Sequence, residues 1–356
     1  MTRPARAVID PSAIIWNLGC VRRAAPGAKV LAVVKADAYG HGLERVAPFV
    51  STVDGLAVAS VEEALALRDV ARPGQAIVLL EGPFEFSELT AITEAGLETV
   101  IHTDEQVAML KRAACELPVW LKFDSGMHRL GFEPERFAKI VAEVRPYAKP
   151  LRLMTHFANA HRRGDPSMLR QLSVFNAMAG AAKEERSLAN SGAILSLPQA
   201  HADWVRPGLM LYGVSPIADC SASSLGLRPA MTLESRLISV RQVAAGEAVG
   251  YGGAFVCPED MPIGVVAYGY ADGYPRHGGT GTPVLVNGTR TQVIGNCSMD
   301  MMTVDLRPIP DARFGDRVTL WGEGLPIEEV AQASDTIPYE LLCRVRLRAR
   351  YEIKKS

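Results

Sequence analysis

The spacing of apolar positions along this chain changes near residue 228. Upstream of that point, short β-type runs alternate with amphipathic stretches. The runs fall at residues 30–34, 55–59, 76–80, 98–101, 119–123, 151–155 and 187–189, with a short eighth at 204–206. Between them, stretches such as 61–70, 105–114 and 166–183 carry apolar residues at helical spacing and are long enough to make right-handed crossovers. Eight repeats of strand then helix predict a (β/α)8 barrel of the TIM type over residues 1–228. Downstream, β-type runs at 231–243, 263–268, 283–286, 291–294, 301–306 and 317–321 follow one another with close turns, and Asn287-Gly288 is a strong hairpin signal. Residues 229–356 therefore read as a second, mostly antiparallel β domain.

Composition narrows the class without naming a function. The 356 residues are 48% apolar and 22% charged, which fits a soluble globular protein of two domains. With 38 basic against 39 acidic residues there is no electrostatic reason to expect nucleic acid or a charged membrane surface as a partner. The six cysteines are scattered, with no CxxC pair and no histidine at ligand spacing, so neither a zinc site nor a disulfide framework is supported. No apolar segment approaches signal-peptide or membrane-span length, and the expected location is cytoplasmic.

In such barrels chemistry collects where strands run out into their following loops. Those positions here hold Lys35, Glu81, His102, Lys122 with Asp124, His156, Asn190 with Ser191, and Arg206, Gly208 and Leu209. Lys35 is the most informative. It ends an apolar strand inside VVKADAYGHG (33–42), where low dielectric disfavours its charge and makes the amine a candidate nucleophile. Tyr39 lies four residues on, and Gly40 and Gly42 allow a tight turn into a helix over 43–50, so a phenol and helix-terminal N–H groups face an anion site beside the lysine. A lysine for a carbonyl and a cradle for a phosphate suggest pyridoxal phosphate. The ordinary alternative for such a lysine is a solvated charge at a strand end.

Five further segments occur in order with the lysine motif: LKFDSGMHRLGF (121–132), HADWVRPGLMLYGVSP (201–216), VGYGG (249–253), GYADGYPR (269–276) and SMDMM (298–302). Together they resemble alanine racemase over essentially the whole chain, in the form found in Gram-negative bacteria. The resemblance implies pyridoxal 5'-phosphate as cofactor, L-alanine and D-alanine as substrates, and a head-to-tail homodimer with active sites shared between subunits. It implies that Lys35 holds the cofactor covalently and acts as one of two catalytic bases, and that Tyr251, supplied by the neighbouring subunit, is the other. Racemisation needs two, because a proton removed from one face must be returned to the opposite face.

By the same resemblance, Arg206 faces the pyridine nitrogen and leaves it unprotonated, and His156 bridges Arg206 and Tyr251. Tyr39, Ser191 and Tyr339, with the backbone of Gly208 and Leu209, hold the phosphate, and Asn190 stands with them at the cofactor. Arg129 reaches the substrate carboxylate, helped by the backbone at Met299 of the other subunit. Lys122 is a carbamylation site whose anion orients Arg129. Tyr270, Asp272 and Asp300 line the substrate entrance. Asp37, Asn296 and Ser298 depart from the commonest family pattern. An amino-acid decarboxylase of the same architecture is the nearest competitor, but decarboxylases pair the pyridine nitrogen with a carboxylate, where this chain has Arg206. A barrel-only pyridoxal phosphate carrier lacks a domain like that bearing VGYGG, and a metal-dependent barrel hydrolase is opposed by the absence of an HxH pair among seven histidines.

Overall fold

The computed structural model describes residues 3–345 and 348–355 and divides into two compact units. The strands, in chain order, begin with β1 (Arg6–Ile9). Eight more follow: β2 (Lys29–Val33), β3 (Gly55–Val58), β4 (Ala76–Leu79), β5 (Glu98–Ile101), β6 (Leu117–Lys122), β7 (Ala148–Met154), β8 (Arg186–Asn190) and β9 (Trp204–Arg206). They close into a parallel barrel in sequence order, with β9 pairing back to β2. The strand-helix alternation thus forms the architecture it predicts, because each parallel neighbour has to be reached through a crossover.

The barrel interior is filled from the bottom by a charged and aromatic layer. Trp120 on β6 and Trp204 on β9 meet edge to face with ring centroids 5.3 Å apart, although their strands are not neighbours. Their side chains therefore point inward. The Arg152 guanidinium lies 4.9 Å from the Trp120 ring centre and 5.4 Å from that of Trp204. Glu98 accepts from Trp120 Nε1 (2.6 Å) and Arg152 Nη1 (3.0 Å), while Glu185 accepts from Arg152 Nε (2.7 Å) and Trp204 Nε1 (3.0 Å). A part-buried cation between two π faces, with two carboxylates accepting from its donors, closes the floor with its charge compensated.

Side chains alternate along a strand, so this inward layer fixes which later residues face the same interior. Two residues beyond Trp120 is Lys122, two beyond Trp204 is Arg206, and four beyond Arg152 is His156. The register Val100↔Trp120 puts His102 on the inward face as well.

The second unit is built on β10 (Met231–Val243), followed by β11 (Ala248–Val249), β12 (Phe255–Val256), β13 (Met261–Val266), β14 (Pro283–Val286), β15 (Thr289–Ile294), β16 (Met302–Asp305), β17 (Arg317–Trp321) and β18 (Arg350–Ile353). The long β10 shifts register between Leu237 and Ser239, pairing with β17 before the shift and mainly with β13 after it. This closes the sheet order β13-β16-β15-β14-β17-β10 on itself, all antiparallel. Tyr274 stacks on Trp321 with centroids 6.2 Å apart and meets Tyr268 edge-on.

One expectation about domain limits needs correction. A division at 228/229 puts the N-terminus in the barrel, yet β1 pairs antiparallel with β10 (Arg6↔Glu234 to Ile9↔Met231) and parallel with β18. The compact unit containing the β domain accordingly takes in the chain up to Ile14. A four-residue strand carries too little periodicity to reveal which sheet it joins. Among the described residues, no helix is long and apolar enough to cross a membrane.

Candidate active site

Lys35 follows the inward end of β2 and opens an unusual turn. Ala36, Asp37, Ala38 and Tyr39 all have φ near +53°, one turn of left-handed helix made without glycine, after which Gly40 (φ +73°) and Gly42 (φ +91°) release the chain into the helix Leu43–Val46. Each non-glycine residue held there costs about 1–2 kcal/mol. Three side chains offset that strain. Buried His41 directs Nδ1 to the carbonyls of Ala38 (3.1 Å) and Tyr39 (2.9 Å), Asp37 accepts from Leu43 N (2.6 Å), and Glu63 accepts from Ala36 N (2.7 Å) and Ala59 N (2.9 Å). Burial pushes the His41 imidazole down to about 4, so it is neutral at physiological pH and available as an Nδ1–H donor. Sequence reasoning anticipated the tight turn and its glycines but not the left-handed helix or its braces.

The turn carries Tyr39 into the interior, where it meets the loops after β8 and β9. A Cβ at Gly208 would stand 2.5 Å from Tyr39 Oη and 3.1 Å from its Cζ, so any larger residue there would displace the Tyr39 phenol. Gly208 N donates to Ser191 Oγ (2.9 Å), and buried Leu209 opens the next short helical turn. Tyr39, Ser191 and Gly208 thus form one cluster of neutral donors, the kind of cradle that suits a phosphate.

Asn190 is paired in register with Arg206 and caps the helix Ser191–Ser196 by accepting from Ala193 N (3.1 Å). This cap orients its amide so that Nδ2 donates to Phe157 O (3.3 Å) and faces His156 Nε2 (3.2 Å). On the other side of the ring, Arg206 Nη2 lies 3.3 Å from His156 Nδ1. His156 is held well below the ordinary imidazole range by its burial and by the surrounding charges of Arg206, Lys122, Arg129 and Lys35. It therefore stays neutral and acts as a hydrogen-bonding group.

Arg206 is 4% exposed, and the hydrogen bonds of its guanidinium go to Ser187 Oγ (2.7 Å), Thr155 O (2.6 Å) and Leu188 O (3.1 Å). All three acceptors are neutral. Burial pulls its pKa down to about 10, which leaves it a cation at neutral pH. Ser187 and the Thr155 carbonyl are functional partners that sequence reasoning missed; the only signal was a hydroxyl residue facing inward on β8.

Lys122 is 8% exposed, and its amine is pushed down to about 8, first by burial and then by Arg206, Arg129 and Lys35, with Asp124 opposing. Arg129 is exposed on the loop after β6. The barrel unit thus brings together four basic side chains and one neutral imidazole at the C-terminal ends of its strands.

The remaining expected residues belong to the second unit. Tyr251 is 74% exposed in the turn between β11 and β12, where its carbonyl accepts from Asn296 Nδ2 (2.9 Å). Met299 is also exposed, and its carbonyl accepts from Ala271 N (2.9 Å). Tyr339 is exposed on the helix Pro338–Cys343. One entrance expectation changes. Asp272 is fully buried, salt-bridged to Arg3 (2.9 Å) and Arg348 (3.2 Å) and accepting from Gly269 N (2.9 Å), so it braces the 269–274 turn and faces no entrance. Asp300 binds Arg348 (2.6 Å) through its carboxylate.

The family models for the alanine racemase N-terminal domain and C-terminal domain match residues 9–216 and 230–353. An alanine racemase of Nitrosospira multiformis is 52% identical over 351 residues, covering 97% of this chain and 98% of the relative. The crystal structure of the biosynthetic alanine racemase of Pseudomonas aeruginosa superposes with a TM-score of 0.97 at 47% identity, over 99% of this chain and 100% of that one. That of Bartonella henselae, with covalently bound pyridoxal phosphate, gives 0.90 at 29% identity over 99% of each chain. With both halves matched in order and a barrel top whose buried arginine has only neutral partners, the chain belongs to the alanine racemase family of pyridoxal-phosphate-dependent racemases.

Proposed function

We propose that this protein interconverts L-alanine and D-alanine with pyridoxal 5'-phosphate held at the top of the barrel. The observation that carries the reading is Arg206, a buried guanidinium bonded only to neutral acceptors, beside Lys122, Arg129 and Lys35. Such a concentration of positive charge requires anionic occupants, and a phosphate together with an amino-acid carboxylate supplies them. The Tyr39–Ser191–Gly208 cluster fits the phosphate, with the backbone of Leu209 beside it; Lys35 fits the carbonyl carbon, and Arg206 fits a ring-nitrogen lone pair. When bound, pyridoxal phosphate supplies a conjugated, electron-withdrawing ring that acidifies the substrate Cα–H.

Lys35, freed as an amine, takes or returns a proton on one face of Cα. Tyr251 of the partner subunit does so on the other; its exposure supports a role outside its own core, as does that of Met299, whose backbone we place at the substrate carboxylate with Arg129. A permanent guanidinium at the ring nitrogen donates without transferring its proton, which weakens electron withdrawal and disfavours transamination. Neutral His156, fixed by Asn190, spaces Arg206 from the phenol. Lys122 is well suited to carbamylation, since its amine is readily neutral and a carbamate offsets the cations around it. Asp300 and Tyr270 we leave at the entrance. A homodimer follows from sharing Tyr251 and Met299. Six scattered cysteines with no CxxC pair support a cytoplasmic location.

Purified protein incubated with L-alanine should yield D-alanine, and borohydride should fix the cofactor on Lys35. Reduced adduct on any other lysine in peptide maps overturns the assignment.

A further inference from the structure

His102 follows β5 at the top of the barrel, and neither the family motifs nor the proposed chemistry uses it. Register places it beside Lys122. Val100 pairs with Trp120 and Ile101 with Leu121, so the next step along the two strands sets His102 against Lys122, both on the inward face. Burial holds the imidazole below its ordinary range, and the charge of Lys122 lowers it further.

The hydrogen bonding of His102 fixes its tautomer. Nε2 lies 2.9 Å from Glu81 O, a carbonyl that can only accept, so Nε2 carries the proton and Nδ1 the lone pair. Gln106 holds the residue in place, its Oε1 accepting from His102 N (2.9 Å) and its Nε2 donating to Glu81 O (3.0 Å) and Pro83 O (3.1 Å). Nδ1 is buried and has no hydrogen-bond partner. A buried lone pair without a donor is destabilising, and this one is retained on the strand beside that of Lys122, a buried amine surrounded by Arg206, Arg129 and Lys35.

We infer that His102 is the positioning residue for carbamylation of Lys122: Nδ1 accepts the proton released when carbon dioxide adds, and then donates it to the carbamate as a hydrogen bond. In the step, the neutral amine lone pair forms a bond to the carbon of CO2, one C=O π pair moves onto oxygen, and the proton on Nζ passes to Nδ1. The products are a carbamate anion and an imidazolium, a charge pair replacing two neutral groups. Burial is the main influence holding His102 below the ordinary imidazole range; the carbonyl and the charge of Glu81 act the other way, and the charge of Lys122, which lowers it further, is gone once Lys122 is carbamylated. His102 thereby turns an orphaned acceptor into the donor that holds the anion facing Arg129. This inference rests on the carbamate reading of Lys122.

The test is carbon-13 NMR of the holoenzyme under 13C-bicarbonate at neutral pH, with Lys122→Ala to identify the signal. His102→Gln and His102→Asn should lower carbamate occupancy about tenfold, the loss of one charge-assisted hydrogen bond, while the cofactor's visible band is unchanged. A Lys122 carbamate of equal occupancy in wild type and both variants overturns the role of His102 and leaves the Lys122 reading standing. No carbamate in wild type overturns both. A second measurement uses wild type alone: nitrogen-15 histidine spectra should show Nδ1 of His102 becoming protonated when bicarbonate is added, and an unchanged Nδ1 signal beside a visible carbamate also overturns the inference.

Discussion

Arg206 and Ser187 form a buried pair in which the guanidinium donates to Ser187 Oγ at 2.7 Å and the serine hydroxyl passes its own proton to Trp204 O at 3.0 Å. Ser187 and Trp204 are register partners, so the arginine at the site is tied through one hydroxyl to the backbone above the barrel floor. A buried cation with neutral partners holds its direction only as firmly as those partners are held.

Ser187→Ala therefore leaves a buried Nη1 donor unpaired and should cost about 1–3 kcal/mol in denaturant unfolding. If Arg206 meets the cofactor ring, the visible absorbance maximum should shift as well. Ser187→Thr, which keeps the hydroxyl, should restore the spectrum. A wild-type spectrum in Ser187→Ala would show that Arg206 is positioned by its backbone contacts alone.

Sharing of the site between subunits predicts complementation. Lys35→Ala and Tyr251→Phe homodimers should each be nearly inactive, and mixing them under subunit exchange should restore activity, because each mixed dimer contains one intact site. Exchange demonstrated by mass with no recovery of turnover would put both bases in one subunit.

Tyr251→Phe also separates the two faces of Cα. The alanine enantiomers have equal free energy in water, so both directions of racemisation must slow by the same factor in kcat/KM, about 10²- to 10⁴-fold for a lost base. Deuterium exchange has no such constraint. In deuterium oxide D-alanine should still exchange through Lys35 while L-alanine hardly does; equal loss from both would end the two-base assignment.

His41 should make stability depend on pH. Its folded pKa of about 4 lies below the ordinary value of 6.5, so the unfolded chain binds the proton more readily. The stabilisation is complete above about pH 6.5 and is lost as pH falls toward 4, amounting to about 3 kcal/mol over that window. His41→Asn should be less stable than wild type at pH 7, and the gap should narrow by about that amount near pH 4. A constant gap in urea midpoints across the window would mean that His41 does not bind its proton on unfolding.

How much of this was legible in the sequence depended on whether the cause was local. Strand-helix alternation and the later β runs are short-range patterns, and both architectures follow from them, as does the placing of Lys35, His102, Lys122, His156 and Arg206 at strand ends. The ordered motifs identified the family for the same reason: each is a contiguous string. The four left-handed residues after Lys35 were not legible, since their strain is offset by Glu63 and His41 from outside the turn. Nor was the pairing of β1 with β10 and β18, which joins segments more than 200 residues apart. Asp272 shows the limit most clearly. The string GYADGYPR suggested an entrance carboxylate, whereas Arg3 and Arg348 bury it as a salt bridge. The sequence by itself determined which chemical groups each strand end carries; only the tertiary structure decided which of them are desolvated, which charges they feel and which hydrogen bonds they complete, because burial and electrostatic fields are properties of residues brought together from distant parts of the chain.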